Sequence, residues 1–199
     1  MLVDKTIQKE IQNKNIVITP YNPDYLGTNS YDLTLHNKIL VYEFPLWKRV
    51  LKLIGIDLCY VNPKVKNNTK EIIIPETGYT LKKNQLYIAS TVEYTETLNH
   101  IPKLEGKSSL GRLGLFIHVT AGYGDVGFKG QWTLELYPTE SIKVYPNMKI
   151  CQISYIEASD KPLRDYGQKP DAKYQNQKEA TASKYELNYS NSNKIKDLN

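Results

Sequence analysis

Sulfur and imidazole are scarce in this chain, whose 199 residues include 2 Cys, 2 Met and 3 His. Cys59 and Cys151 lie far apart with no pairing pattern, which argues against a disulfide framework. Both are expected to be reduced core thiols. There is no Cys-x-x-Cys, and none of His36, His100 and His118 stands two residues before a Glu. A zinc nucleoside deaminase needs both patterns, so no catalytic zinc and no protein metal site are expected. Gly-x-x-x-x-Gly-Lys-Ser/Thr is missing too, which argues against a P-loop NTPase. Long apolar runs are lacking, and no stretch approaches the ~20 residues needed to span a bilayer. The first residues, "MLVDKTIQKEIQ", are charged from Asp4 onward and lack the apolar centre of a signal peptide. A cytoplasmic location without a membrane partner is therefore expected. Charge of either sign is modest: the net charge is +5, and the Lys residues are spread along the chain. That balance suits an anionic small molecule and is too weak to argue for nucleic acid.

What is present is mostly strand signal. Short apolar runs recur, among them "YDLTL", "KILVYEF", "EIIIP", "QLYIAST", "LFIHVTA", "QWTLELY", "SIKVYP" and "KICQISYIE", with Pro, Gly and Asn between them. Many short strands with few helical patterns predict a mainly β fold, a barrel or sandwich. Asp4 is placed as the N-cap of a short helix with Ile7 and Ile11 on one face. Trp47, Val50, Leu51 and Ile54 have helical spacing within the irregular stretch 44–70. The length suits one domain over 1–184. Within it, 161–184 is too polar to build a core, and 185–199 reads as a polar tail.

The chemistry concentrates between Lys107 and Glu135. In "GKSSLGR", Gly106 and Gly111 allow close backbone approach, Ser108 and Ser109 offer hydroxyls, and Lys107 and Arg112 offer charge suited to phosphate. In "AGYGDVGFKG", 4 Gly in ten residues predict a tight hairpin that projects Asp125 and Phe128 toward a sugar. In "QWTLELY", a period of two puts Trp132, Leu134 and Leu136 on one face and Thr133, Glu135 and Tyr137 on the other. A Glu in a partly dry pocket becomes a proton shuttle near neutral pH. His118 reads as structural or as lying at a subunit contact.

Taken together, these residues resemble the dCTP deaminase family, a branch of the dUTPase-like superfamily. "EGKSSLGRLGL-IHVTAG" followed by "D-GF-G--TLEL" has the family's order and spacing. "NSYDLTL" is similar to its early strand, and Tyr166 to Gln177 match its far end. The resemblance covers roughly residues 1–184. It implies a distorted β-barrel or jelly-roll with a short N-terminal helix, assembled as a homotrimer with sites shared between subunits.

The resemblance also implies roles. Glu135 falls on the carboxylate that shuttles protons while water attacks C4 of cytosine. Ser108 and Arg112 fall beside it, and the Ala121 carbonyl helps orient the water. Lys107, Ser108, Ser109, Leu110, Gly111 and Arg112 match the triphosphate segment. Asp125 and Phe128 match positions around the deoxyribose, and Thr133, Leu134 and Glu135 match the segment that reads the base. Tyr166, Lys173 and Gln177 match residues that close over the phosphates. Mg²⁺ would travel with the triphosphate, and dTTP would be an inhibitor. The first reading is deamination of dCTP to dUTP and ammonia. The alternative is a bifunctional enzyme releasing dUMP and diphosphate, with Asp125 helping water attack the α-phosphate. The pattern Ala-Gly-aromatic-x-Asp and Gln152 point toward the alternative. The tail "AKYQNQKEATAS" points toward dUTP release, and Lys107 departs from the family's usual Arg. A plain dUTPase, a non-catalytic nucleotide-binding regulator and a single-stranded nucleic-acid binder fit these residues less well.

Overall fold

A computed structural model describes residues 1–118 and 120–190. The elements, in chain order, are α1 (Asp4–Gln12), β1 (Ile16–Thr19), β2 (Tyr31–Thr34), β3 (Lys38–Tyr42), α2 (Leu46–Leu53), β4 (Thr69–Ile73), β5 (Tyr79–Leu81), β6 (Tyr87–Thr97), β7 (His100–Gly106), α3 (Ser108–Gly111), β8 (Leu115–Phe116), β9 (Lys129–Pro138), β10 (Ile142–Val144), β11 (Lys149–Glu157) and α4 (Leu187–Ser190). The mainly β class read from the sequence is the one that forms. The chain divides into two compact units, one of Met1–Ile39 with Ile73–Thr181 and the other of Leu40–Ile72 with Ala182–Asn199. Among the described residues, no helix is long and apolar enough to cross a membrane.

The first unit is built on antiparallel pairs. β6 carries β1 toward one end (Ile16 opposite Thr97) and β9 along its length (Tyr87 opposite Leu136). β8 pairs with the other edge of β9, Phe116 facing Tyr137. A separate sheet runs β2-β11-β7, and β5 pairs with β10. The core lies where the alternate residues of these strands meet: Ile16, Leu33, Leu104, Leu134, Leu136 and Ile153 are almost wholly buried. Cys151 is also core, and burial pushes its thiol up. Cys59, expected in a core as well, is only half-buried, because it lies in the loop-rich second unit.

Three local expectations are corrected. Val3, not Asp4, is the N-cap of α1; Asp4 is its first residue, and its carboxylate accepts the N–H of Lys5 at 2.7 Å. β5 and β7 were not read from the sequence. β5 is only three residues long, and Pro102 interrupts the strand signal of β7. The run "LFIHVTA" makes only the two-residue β8, because His118 adopts φ +49°, a left-handed conformation that ends a ladder.

One buried charge links the strands of the first unit. Between the pairs Ser90–Thr133 and Tyr94–Gln131, three residues of β6 lie opposite Trp132 alone. The Thr91 hydroxyl accepts the Trp132 N–H at 3.0 Å, which satisfies the interrupted ladder. The bulge turns Glu93 inward, where it is 2% exposed. Its carboxylate accepts the Thr34 N–H and hydroxyl of β2, both at 2.8 Å. Burial raises its pKa above the ordinary carboxylate value despite these donors. The folded state therefore binds the proton more tightly than the unfolded chain does, so this group's contribution is full below about pH 4.5 and falls as pH rises through its folded pKa. Glu93→Gln keeps one acceptor and puts a donor where the protonated acid has one, so in acid it is expected to change stability by less than about 1 kcal/mol. In urea melts from pH 4 to pH 7 the variant should gain on the wild type, since only the wild type loses stability through ionisation at this site. A variant that falls behind the wild type as pH rises would contradict this assignment.

Candidate active site

β7 ends at Gly106, and the chain turns at Lys107 into the single helical turn α3. The N–H groups of Leu110 and Gly111 close that turn on the Lys107 carbonyl, at 3.0 and 2.9 Å. Ser108, Ser109, Gly111 and Arg112 are exposed along it, with Leu110 half-buried. Lys107 is held from the side. Its ammonium donates to one oxygen of Asp32 at 2.5 Å, and Lys149 reaches the other at 3.1 Å. Asp32 lies opposite Gln152 in the β2–β11 ladder. The Gln152 amide donates to the Gly106 carbonyl at 3.2 Å and accepts from the Ser30 hydroxyl at 2.8 Å. Ser30 and Asp32 of "NSYDLTL" thus fasten the turn that the sequence assigns to phosphate. Two ammonium groups against one carboxylate leave a net positive charge there, and Arg112 adds to it.

β9 supplies the carboxylate. Trp132, Leu134 and Leu136 are buried, while Thr133 and Glu135 are half-buried on the opposite face, as the period of two requires. Leu134, assigned to the base-reading segment, has its side chain in the core and can meet a ligand only through its backbone. The Glu135 side chain is 45% exposed, so one chain alone does not make the dry pocket expected around it. Glu135 instead has a close partner: His118 Nδ1 contacts its Oε2, and the His118 side chain is only 7% exposed. The left-handed turn at His118 that shortens β8 also aims the imidazole at this carboxylate. Ala121 is exposed three residues farther on.

The glycine-rich segment is not a hairpin. Leu104 donates to the Gly122 carbonyl at 2.7 Å and Gly124 donates to the Pro102 carbonyl at 2.8 Å, so the segment first runs beside β7. A Cβ on Gly124 would stand 2.3 Å from the Trp132 ring, so that close approach demands glycine. The chain then crosses to β6, where Thr97 donates to the Phe128 carbonyl at 3.2 Å. Asp125 is exposed, as expected, but Phe128 does not project. It is 6% exposed, with its ring 4.4 Å from that of Trp132 and 5.8 Å from that of Tyr166. Asp125 accepts the Lys169 ammonium at 3.2 Å, and that carboxylate raises the pKa of Lys169 above the ordinary lysine value.

The polar segment after 161 takes its order from β9. Asp165 and Gln168 exchange backbone-to-side-chain bonds at 3.0 and 3.1 Å, and the Tyr166 N–H donates to the Val126 carbonyl at 2.8 Å. Gln177 and Gln131 are joined twice, Gln131 N–H to the Gln177 carbonyl at 3.0 Å and the Gln177 amide to the Gln131 carbonyl at 2.8 Å. The Thr181 N–H reaches the Thr133 hydroxyl at 3.3 Å. Lys173 is half-buried within this segment.

Hydrogen bonds and ring contacts therefore gather the assigned residues into two groups. Lys107 and Gln152 join the α3 turn with Ser108 and Arg112. Thr133, Asp125, Phe128, Tyr166 and Gln177 join β9 and the tail, and Glu135 stands on the same strand. Three participants were missed or undervalued in the sequence. Asp32 left a signal, an acid in the middle of a short apolar strand. His118 was visible as a polar residue in "LFIHVTA", but its partner depends on a backbone conformation. Lys169 left none, being one Lys among many.

Three comparisons with known proteins bear on this arrangement. A family model described as dCTP deaminase-like matches residues 1–158. The chain is 47% identical over 170 residues to a protein of Clostridium acetobutylicum named "dCTP deaminase, dUMP-forming", covering 85% of this chain and 88% of that one. A protein of Clostridium beijerinckii with the same name is 45% identical over 178 residues, covering 89% and 92%. Among solved structures, the 2'-deoxycytidine 5'-triphosphate deaminase of Agrobacterium tumefaciens superposes with a TM-score of 0.59 at 19% identity. That match covers 79% of this chain and about half (48%) of the other, and it shows a shared fold.

Asp32→Asn is expected to weaken binding of a non-hydrolysable nucleoside triphosphate about tenfold, the scale of one charge-assisted hydrogen bond. Isothermal titration calorimetry reads this directly. The loss should vanish when Lys107→Met is already present, and an equal loss in that background would mean that Asp32 acts through some other group.

Proposed function

The chain belongs to the dCTP deaminase-like family, and from that premise we propose that it converts dCTP and two waters into dUMP, diphosphate and ammonia. The observation that carries the choice of product is the name shared by the relatives at 45–47% identity, "dCTP deaminase, dUMP-forming". The bifunctional reading is therefore favoured over dUTP release. The similarity of the tail "AKYQNQKEATAS" to dUTP-forming members keeps dUTP release as the second reading.

In this mechanism the α3 turn receives the triphosphate. Arg112 grips phosphate oxygens, Ser108 and Ser109 donate to them, and Lys107 adds charge from the position that Asp32 gives it. Mg²⁺ enters with the substrate as its triphosphate complex. The base lies along the outer face of β9, where the backbone from Thr133 to Glu135 reads its edge. Glu135 removes a proton from water as the oxygen adds to C4, delivers it to the ring, and assists departure of ammonia. His118, in contact with Glu135, fixes the carboxylate's orientation. The second step is hydrolysis at the α-phosphorus. Water attacks there, the bond to the bridging oxygen breaks, and diphosphate leaves, with Asp125 accepting the water's proton. Asp125 must part from Lys169 to do so, which links this step to movement of the tail.

The exposure of Glu135 and of the α3 side chains fits a homotrimer in which a second copy covers each site. Its native mass would be three times 22.9 kDa.

Incubation with dCTP and Mg²⁺, followed by chromatography of the nucleotides, is expected to yield dUMP and diphosphate without accumulation of dUTP. Accumulating dUTP would restore the second reading, and absence of ammonia would overturn both. Glu135→Gln should lower deamination by about 10³-fold or more, the scale of a lost acid–base group, with native mass unchanged. Asp125→Asn should retain deamination and stop at dUTP.

A further inference from the structure

The second unit carries a helix that faces the wrong way for a protein interior. At 100° per residue, Leu53, Leu46, Val50, Ile54, Trp47 and Leu51 fill an arc of about 160° on α2 and its C-cap, and Lys48, Lys52 and Arg49 fill the rest. Such a helix ordinarily buries its apolar arc against a core. α2 buries none of its residues. Leu51, at one edge of the arc, is half-buried, and across the rest exposure runs from 52% at Val50 to 85% at Leu53, with Trp47 56% exposed. The polar side is the side that finds partners within the unit. The Lys48 ammonium lies 5.4 Å from the centre of the Tyr60 ring and 5.5 Å from that of Trp47, and Lys52 bonds Asp57 at 2.8 Å. Ile56, Tyr60, Val61 and Val65 extend the exposed apolar surface into the following loop. A concentration of this kind marks a docking surface.

Charge selects the occupant. Residues 40–72 hold six basic groups against three acidic ones, and Asp57, the acid that follows the helix, is engaged by Lys52. Two such units brought together would set like net charges near each other. A nucleic acid would answer the cations and leave the apolar arc in water. An anionic bilayer surface answers both: acyl chains receive the arc, phosphates receive Lys48 and Arg49, and Trp47 sits at the boundary that indoles favour.

We propose that α2 is an interfacial helix that docks this protein on anionic lipid membranes. The absence of a spanning segment has no bearing on a helix that lies flat. The docking is independent of the nucleotide chemistry, because no residue of α2 is assigned to that site.

The chain reports on itself, since its only other tryptophan, Trp132, is 7% exposed in the core. The full-length protein is mixed with vesicles of phosphatidylcholine alone, or of phosphatidylcholine with phosphatidylglycerol. The expected result is a blue shift of Trp47 emission and co-sedimentation with the phosphatidylglycerol vesicles only. Trp47→Phe should abolish the shift and keep the sedimentation. Leu53→Glu should abolish both with dCTP turnover unchanged, and Lys48→Gln with Arg49→Gln should weaken binding to these vesicles by about thirtyfold. Absence of binding to phosphatidylglycerol vesicles would overturn the proposal. A concentration-dependent blue shift without lipid, with a rise in native mass that Leu53→Glu removes, would overturn it in favour of a second copy of this chain.

Discussion

The two-residue period of β9 is the constraint on which the rest of the structure depends. One face of this strand must be apolar, because Trp132, Leu134 and Leu136 fill the core between the strands around them. The other face is then available along its whole length. Glu135 and Thr133 stand on that face, β8 borders one edge, and β6 pairs along the other. The tail beyond residue 161 lies down where Gln131 presents backbone groups that Gln177 satisfies and Lys129 a carbonyl that Asn176 satisfies. A one-residue slip of β9 would put Glu135 into the core and Trp132 into water. The bulge opposite Trp132 belongs to the same constraint, since it lets the longer β6 stay in register while Glu93 turns toward β2.

The second organising element is the carboxylate of Asp32. It joins Lys107 and Lys149, and its ladder partner Gln152 holds the carbonyl just before Lys107. The early strand β2 therefore decides where the turn proposed to take phosphate sits, although the two are more than seventy residues apart in the chain. This also accommodates a Lys where the family commonly has Arg. Arginine carries its own rigid fork, whereas a flexible lysine needs a fixed partner to hold its charge in place.

Much of this was legible in the sequence. Strand alternation placed Glu135 and Thr133 together, because side-chain direction in a strand follows from position alone. The turn at Lys107 was legible from Gly and Ser, and the helix over Trp47 to Ile54 from its spacing. What could not be read depends on backbone conformation or on distant pairing. His118 reaches Glu135 through a left-handed φ that a non-glycine residue does not advertise. Phe128 looked like a projecting ring because four glycines suggested a hairpin, but Gly122 and Gly124 serve a close approach to Leu104, Pro102 and Trp132, and Gly127 and Gly130 one to Asp165, Tyr166 and Gln177 of the tail. The spacing of α2 was legible, but the exposure of its apolar face emerged only from the fold.

Under the proposed function, Glu135 and Asp125 serve two successive hydrolyses, one on the base and one at the phosphate chain. Each step consumes its own water, and the two oxygens end in different places. Reaction of dCTP in ¹⁸O-labelled water, with mass spectrometry of the nucleotide product, reads both at once. The account predicts dUMP with one label at O4 of uracil and one on its phosphate. A nucleotide labelled on the base alone, with its triphosphate intact, would contradict it.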